Sequence, residues 1–191
     1  MLSEEKKIIE LIVNGDRMAM RSLFETNKDR VFNTCLSLLQ NYEDAEDQTQ
    51  EVFITVFKSI HSFRGESGLQ TWIYRIAINK CKDFIKRKNA KKRLSFLTTL
   101  LNDNTTEKAI NFDHPGIIFE NKEKAKILFE VLKELPENQK IAFTLNKLED
   151  LSYKEIAEIM LLSIGSIESL IFRAKMNLRK LIEKKYPELK K

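Results

Sequence analysis

The chain has 191 residues, 42% of them hydrophobic, a formal net charge of +5, five glycines and three prolines. That hydrophobic content excludes a disordered chain, and so few glycines and prolines favour long helices over turn-rich sheet. No stretch approaches the ~20 apolar residues that a membrane span needs, and the acids ahead of a short apolar run at the start do not make a secretory signal. Membrane insertion is not expected, and a cytoplasmic location is.

Nearly every segment has helical period. Ile8, Ile9, Ile12 and Val13 form one apolar stripe, after which Asn14, Gly15 and Asp16 break the chain and Asp16 can cap the next helix. That helix carries Met20, Leu23, Phe24, Val31, Cys35, Leu38 and Leu39 at three-and-four spacing. A third helix is expected over 43–59, with Val52, Phe53, Val56 and Ile60 buried and its early acids matched to the positive N-terminal end. After a loop with two glycines, a fourth starts near Leu69 and carries Trp72, Ile73, Ile76, Ala77 and Phe84 into a basic run over 86–93. Residues 94–120 are polar and turn-rich and read as a linker.

The last third is again helical. A helix is expected over 121–135. Pro136 suits the first turn of the next, which runs to Leu148. Ser152 and Glu155 form a capping box that opens a short helix to Met160. A longer helix follows from near Gly165 to Tyr186. The expected fold is all-α: two small helical domains, 1–93 and 121–191, joined by the linker 94–120, the second a helix-turn-helix. Cys35 and Cys81 sit in neither a CxxC pair nor a histidine cluster, so they read as small buried apolar residues in a reducing compartment. No metal site or cofactor is expected.

Three segments carry chemistry. Glu43, Asp44, Glu46, Asp47 and Glu51 fall within nine positions. Asp47 and Glu51 share a helix face beside Gln50, which offers a dock for a basic partner. Such a cluster could instead be a solvated face, or hold magnesium for phosphodiester cleavage. On the fourth helix Trp72 and Tyr74, two apart, cannot share a face. Trp72 suits the core, and Tyr74, Arg75, Asn79, Lys82 and Lys86 are expected to line a wetter face able to stack on and read unpaired bases. The loop before them could wrap a flipped base, and the run 86–93, six of eight residues basic, suits phosphates.

The third segment is the C-terminal helix pair. Ala157 and Ile167, ten apart, have the spacing of a helix-turn-helix. With Ile167, Ile171, Ala174, Leu178 and Leu181 buried, Ser166, Glu168, Ser169, Phe172, Arg173, Lys175 and Arg179 face outward. The serines can bond base edges or phosphates, Phe172 can touch a thymine methyl, and Arg173 can fork onto guanine or a phosphate. Glu168 can accept from a cytosine amine.

The segments 44–53, 63–67 and 71–79 resemble the second conserved domain of bacterial extracytoplasmic-function sigma factors of the sigma-70 family, and 135–139, 151–159 and 166–175 resemble the fourth. The resemblance implies a non-catalytic promoter-specificity subunit. Its expected partners are core RNA polymerase (the beta-prime clamp helices and the beta flap), promoter DNA and an anti-sigma factor. It implies that Asp44, Asp47, Gln50 and Glu51 bind core. It also implies that Phe63, Arg64, Ser67, Trp72, Tyr74, Arg75, Asn79, Lys82 and Lys86 serve the minus-ten element, and that Ser166, Glu168, Ser169, Phe172, Arg173 and Lys175 serve the minus-thirty-five element. Many members carry basic residues where this chain has Glu168 and Leu170, and Gly and Pro where it has Leu161 and Ser163. The competing reading is a helix-turn-helix regulator that does not engage polymerase. The acidic helix and the Trp72 helix separate the two, since a simple repressor needs neither.

Overall fold

The computed structural model describes residues 3–99 and 122–189, and among them every regular element is a helix. In chain order these are α1 (Ser3–Val13), α2 (Arg17–Leu39), α3 (Tyr42–Ser59), a 3-10 turn (Ile60–Ser62), α4 (Leu69–Thr99), α5 (Lys122–Leu132), α6 (Glu137–Lys147), α7 (Tyr153–Met160), α8 (Ile164–Lys185) and a closing 3-10 turn (Pro187–Leu189). This is the expected all-α pair of helical units. Their starts follow from local chemistry. The Asp16 carboxylate accepts from the Met18 and Ala19 amides at 2.8 and 2.9 Å, Asn41 accepts from Asp44 N at 2.8 Å, and Ser152 with Glu155 closes a reciprocal capping box. Each cap satisfies amides that the helix itself leaves orphaned, worth about 1 kcal/mol.

One boundary differs from expectation. The fourth helix does not stop with the basic run but continues to Thr99, so the start of the expected linker is helical. From Leu69 to Thr99 there is no Gly or Pro, and Lys, Arg and Leu are good helix formers. The remainder of the linker, 100–120, lies outside the described residues.

In the N-terminal unit α2, α3 and α4 bury Val31, Cys35, Val52, Val56, Ile73, Ala77 and Cys81. Both cysteines are free, and contact with the Cys35 thiol together with burial pushes the Cys81 thiol well up, which makes it a poor nucleophile. In the C-terminal unit Val131, Leu132, Leu135, Phe143, Ala174 and Leu178 form a small core of their own. Ile141, Leu145, Leu151, Ile156, Ile167 and Ile171 instead join the core of the N-terminal unit. Each such side chain, once buried, contributes about 1.5–3 kcal/mol. The two units therefore close on each other, α7 against α4 and α6 against α2. The Gln40 side-chain amide seals one edge by donating to the Phe129 carbonyl at 2.7 Å.

Leu161 ends α7 in the left-handed conformation, φ 56°, and is 75% exposed. That conformation costs a residue with a Cβ roughly 1–2 kcal/mol, and little burial is at stake. Leu161→Gly is expected to raise the unfolding free energy by about 0.5–1 kcal/mol, part of the relief being offset by the freer unfolded chain. Urea denaturation checks the sign.

Candidate functional site

Three surfaces carry the chemistry that the sequence singles out. The first is the acidic face of α3. Asp47, Gln50 and Glu51 are exposed together, as the i, i+3, i+4 spacing requires. Across from them α4 presents Lys80, Arg87, Lys88 and Lys91, and the two helices wall a groove of about 630 Å³. The walls are already partly paired: Lys88 meets the Asp44 carboxylate, and Lys80 lies 3.6 Å from Glu51. Such surface pairs are worth ~1 kcal/mol or less, so a basic partner can displace them. Lys80 is a lining residue that sequence reasoning misses; it sits four beyond Ile76 on α4, and nothing local ties it to α3.

The second surface is the start of α4. The Phe63 and Trp72 rings pack with centroids 5.3 Å apart, which pins the end of the 63–68 loop to the helix. The Glu5 carboxylate accepts from the Leu69 amide at 3.4 Å, so α1 braces the same corner. Arg64, Asn79 and Lys86 are exposed, and Ser67 is half-buried.

Tyr74 requires a correction. The sequence puts it on a wet face, yet it is 2% exposed, because the α6–α7 connection packs over it. Its hydroxyl donates to the Glu149 carboxylate at 2.9 Å. Its neighbours are engaged by the same unit: the Arg75 guanidinium donates to the Glu158 carbonyl at 3.0 and 2.7 Å, and Lys82 pairs with Glu137 at 3.4 Å. The helical period does turn Tyr74 away from Trp72, but the face it enters, with Arg75 and Lys82 beside it, is covered by the chain's own C-terminal unit.

The electrostatics of this seal are unusual. Glu149 is 7% exposed, and one of its oxygens, Oε1, finds no hydrogen-bond donor among the described residues. Burial pushes its carboxyl up to about 7, against the opposing pull of the Tyr74 hydroxyl and the Arg30 guanidinium. Burial, then the Glu149 charge, likewise push the Tyr74 phenol well up.

The third surface is α8. Ser163 caps it, accepting from the Ser166 amide at 3.2 Å. Ile167, Ile171, Ala174 and Leu178 are buried, and Ser166, Glu168, Ser169, Phe172, Arg173 and Lys175 are all exposed. The Arg173 Nε–H donates to the Ser169 carbonyl at 3.1 Å, which ties the exposed guanidinium to the preceding turn of the helix. Ser163, Ser166, Ser169 and Arg173 border an open hollow of about 530 Å³ together with Asn138 of α6. Met176, 41% exposed four residues beyond Phe172, is a residue that sequence reasoning misses; the i, i+4 spacing is the signal that could have found it. Among the described residues no helix is long and apolar enough to cross a membrane, and no group of three or more His, Cys, Asp or Glu is placed to hold a metal ion.

Comparison with known proteins matches this layout in two blocks. Residues 23–91 match the family model of Sigma-70 region 2, and 125–178 match that of Sigma-70, region 4. The chain is 34% identical over 197 residues to the ECF RNA polymerase sigma-E factor of Haemophilus influenzae, covering 97% of this chain and 96% of that one. It is 32% identical over 183 residues to the sigma-E factor of Escherichia coli, with 90% of each covered, and 30% identical over 189 residues to the RNA polymerase sigma-H factor of Pseudomonas aeruginosa, with 94% of each covered. Among solved structures, CnrH in complex with the cytosolic domain of CnrY matches with a TM-score of 0.67 at 18% identity, covering 95% of this chain and 98% of that one. The sigma factor RpoE bound to the anti-sigma factor NepR from Bartonella quintana matches with a TM-score of 0.66 at 21% identity, covering 85% and 96%.

Proposed function

This chain belongs to the sigma-70 family of RNA polymerase sigma factors, in its extracytoplasmic-function group, and we propose from that premise how its surfaces divide the work of initiation. The protein is a sigma factor that joins bacterial core RNA polymerase and directs it to promoters. Residues 1–93 dock on core and handle the minus-ten element, 94–120 connect, and 121–191 read the minus-thirty-five duplex. Nucleotidyl transfer belongs to the polymerase, and this subunit supplies binding, in the cytoplasm. The observation that carries the reading is the coexistence in one chain of an exposed acidic helix face walled by cations and a helix-turn-helix with a free reading face. A repressor that never meets polymerase has no use for the first.

Asp47, Gln50 and Glu51 present the charges for the beta-prime clamp helices, with Asp44 held in reserve by Lys88. Phe63 and Trp72 hold the loop that takes up an unpaired base; Arg64 stands exposed beside them, Ser67 is half-buried in the loop, and Asn79 and Lys86 are exposed farther along α4. Tyr74, Arg75 and Lys82 join that site once the C-terminal module lifts away. On α8, Ser166, Glu168, Ser169, Phe172, Arg173 and Lys175 face the upstream duplex, and domain 4 also meets the beta flap. The likeness to the sigma factor RpoE, solved with the anti-sigma factor NepR, supports an anti-sigma protein as the regulator that competes for these faces.

Reconstitution with bacterial core polymerase on a promoter library tests the reading: the chain co-elutes with core and directs specific transcripts, and failure of both ends the sigma assignment. In the same assay Arg173→Ala is expected to weaken binding to the upstream duplex about 10- to 100-fold, since a good bidentate contact to a base is worth ~1–3 kcal/mol. Unchanged binding would remove Arg173 from the reading face.

A further inference from the structure

Closure of the two units joins side chains that lie far apart in the chain. The Tyr74 hydroxyl of α4 donates to Glu149 in the α6–α7 connection, and the Gln40 amide donates to the Phe129 carbonyl of α5. Glu149 and Gln40 are both buried, 7% and 5% exposed, yet each leaves one oxygen, Oε1, without a donor among the described residues. A buried acceptor without a donor has given up its hydration for nothing, and parting the seam returns water to it. Both orphan oxygens therefore favour the open form.

At Glu149 that preference depends on a proton. The neutral acid loses little by sitting in the seam, whereas the carboxylate is a charge withdrawn from water with one oxygen bare. Tyr74 faces it from α4 and keeps its proton, since burial and the Glu149 charge push the phenol well up. The Arg30 guanidinium attracts it from α2, while Arg75, beside Tyr74, is engaged by the Glu158 carbonyl of α7. On its own connection the neighbouring Asp150 is exposed. Burial outweighs the attractions and holds the carboxyl up at about 7, against an ordinary 4.5.

We propose that Glu149 makes the closure of the two units proton-dependent: as its carboxyl ionises, the α6–α7 connection withdraws from α4 into water, and Tyr74, Arg75 and Lys82 are freed for the minus-ten strand. The proposal rests on the sigma reading and gives that same site a regulator, the proton. The closed form binds the proton more tightly than the open one. Closure is therefore strongest below about 4.5 and is lost as pH rises through about 7. Between pH 5.5 and 8.5 the closing equilibrium is expected to fall about 30-fold.

The test compares the full wild-type chain with Glu149→Gln, which cannot titrate. Cys81 lines a small cavity at the seam together with Leu135 and Ile141, so it reports even rare opening. Its labelling by a dipyridyl disulfide is followed by peptide mass spectrometry in the free chain. The wild-type rate divided by the Glu149→Gln rate is expected to rise about 30-fold from pH 5.5 to 8.5. The same ratio of affinities for core polymerase is expected to rise in parallel, because only the open fraction binds. Thiol reactivity, polymerase titration and Lys140, a half-buried amine along the seam, are common to both chains and cancel. Circular dichroism is expected to show the same helix content throughout. A flat labelling ratio, a rising one with a flat affinity ratio, or loss of helix by wild type at pH 8.5 overturns the proposal. Absence of core binding by either chain at either pH ends the sigma reading instead, whatever the labelling shows.

Discussion

A chain carrying Asp47→Lys and Glu51→Lys is expected to lose at least about 100-fold in affinity for core polymerase, because juxtaposing like charges at an interface costs several kcal/mol and ~1.4 kcal/mol is tenfold. Both side chains are exposed on α3, and neither belongs to the core. The double variant should therefore melt close to wild type. A small loss is expected because Glu51→Lys turns the attraction to Lys80, 3.6 Å from the native carboxylate, into repulsion. Upstream duplex binding by α8 should be untouched. Co-elution with core, titrated by fluorescence anisotropy, gives the affinity; circular dichroism gives the fold. Retained core binding in a folded double variant would mean that the α3 face is only a solvated surface.

The second large effect concerns the Tyr74–Glu149 seal. The carboxyl of Glu149 is held up at about 7 in the folded chain, against 4.5 when exposed. The folded state thus keeps a proton that the unfolded chain releases. The stability contributed by this site is fully present below about 4.5 and is lost as pH rises through about 7. Between pH 5.5 and 8.5 the loss amounts to roughly 2 kcal/mol. Glu149→Gln keeps an acceptor for the Tyr74 hydroxyl and removes the titration. Its urea-denaturation stability is expected to exceed that of wild type by a margin that widens by roughly 2 kcal/mol between pH 5.5 and pH 8.5. The Tyr74 phenol, which faces Glu149, is pushed up and keeps its proton throughout that window. Lys140, whose ammonium burial lowers, works in the opposite sense at higher pH and is common to both chains. Parallel stability curves for the two proteins would show that Glu149 is not a buried acid.

What sequence could disclose followed the range of the interactions. The caps at Asp16 and Ser152 and the outward face of α8 depend on residues within one or two turns, so spacing alone places them. The shared exposure of Asp47, Gln50 and Glu51 is a helix-face statement of the same kind. Tyr74 is misplaced by its local pattern because its partner is 75 residues away, and nothing nearby announces that a second unit will cover the face. The extension of α4 to Thr99 is hidden when a charge run is read as a helix end, although its residues favour helix as strongly as those before them. The pairing of Lys80 with Glu51 and of Lys88 with Asp44 needs the packing of α3 on α4, which periodicity implies but does not register.

The closed arrangement leaves α8 free while it occupies Tyr74, Arg75 and Lys82 on α4. Under the proposed function those three positions answer to two different ligands, the chain's own C-terminal half and the opened strand. A substitution there that improves the fit to a base also shifts how readily the molecule unlatches, so the two traits are inherited together. Phe172 and Met176 carry no such double duty. Drift in promoter preference can accumulate along α8 without disturbing the latch, and the upstream element is where sister regulons would be expected to diverge.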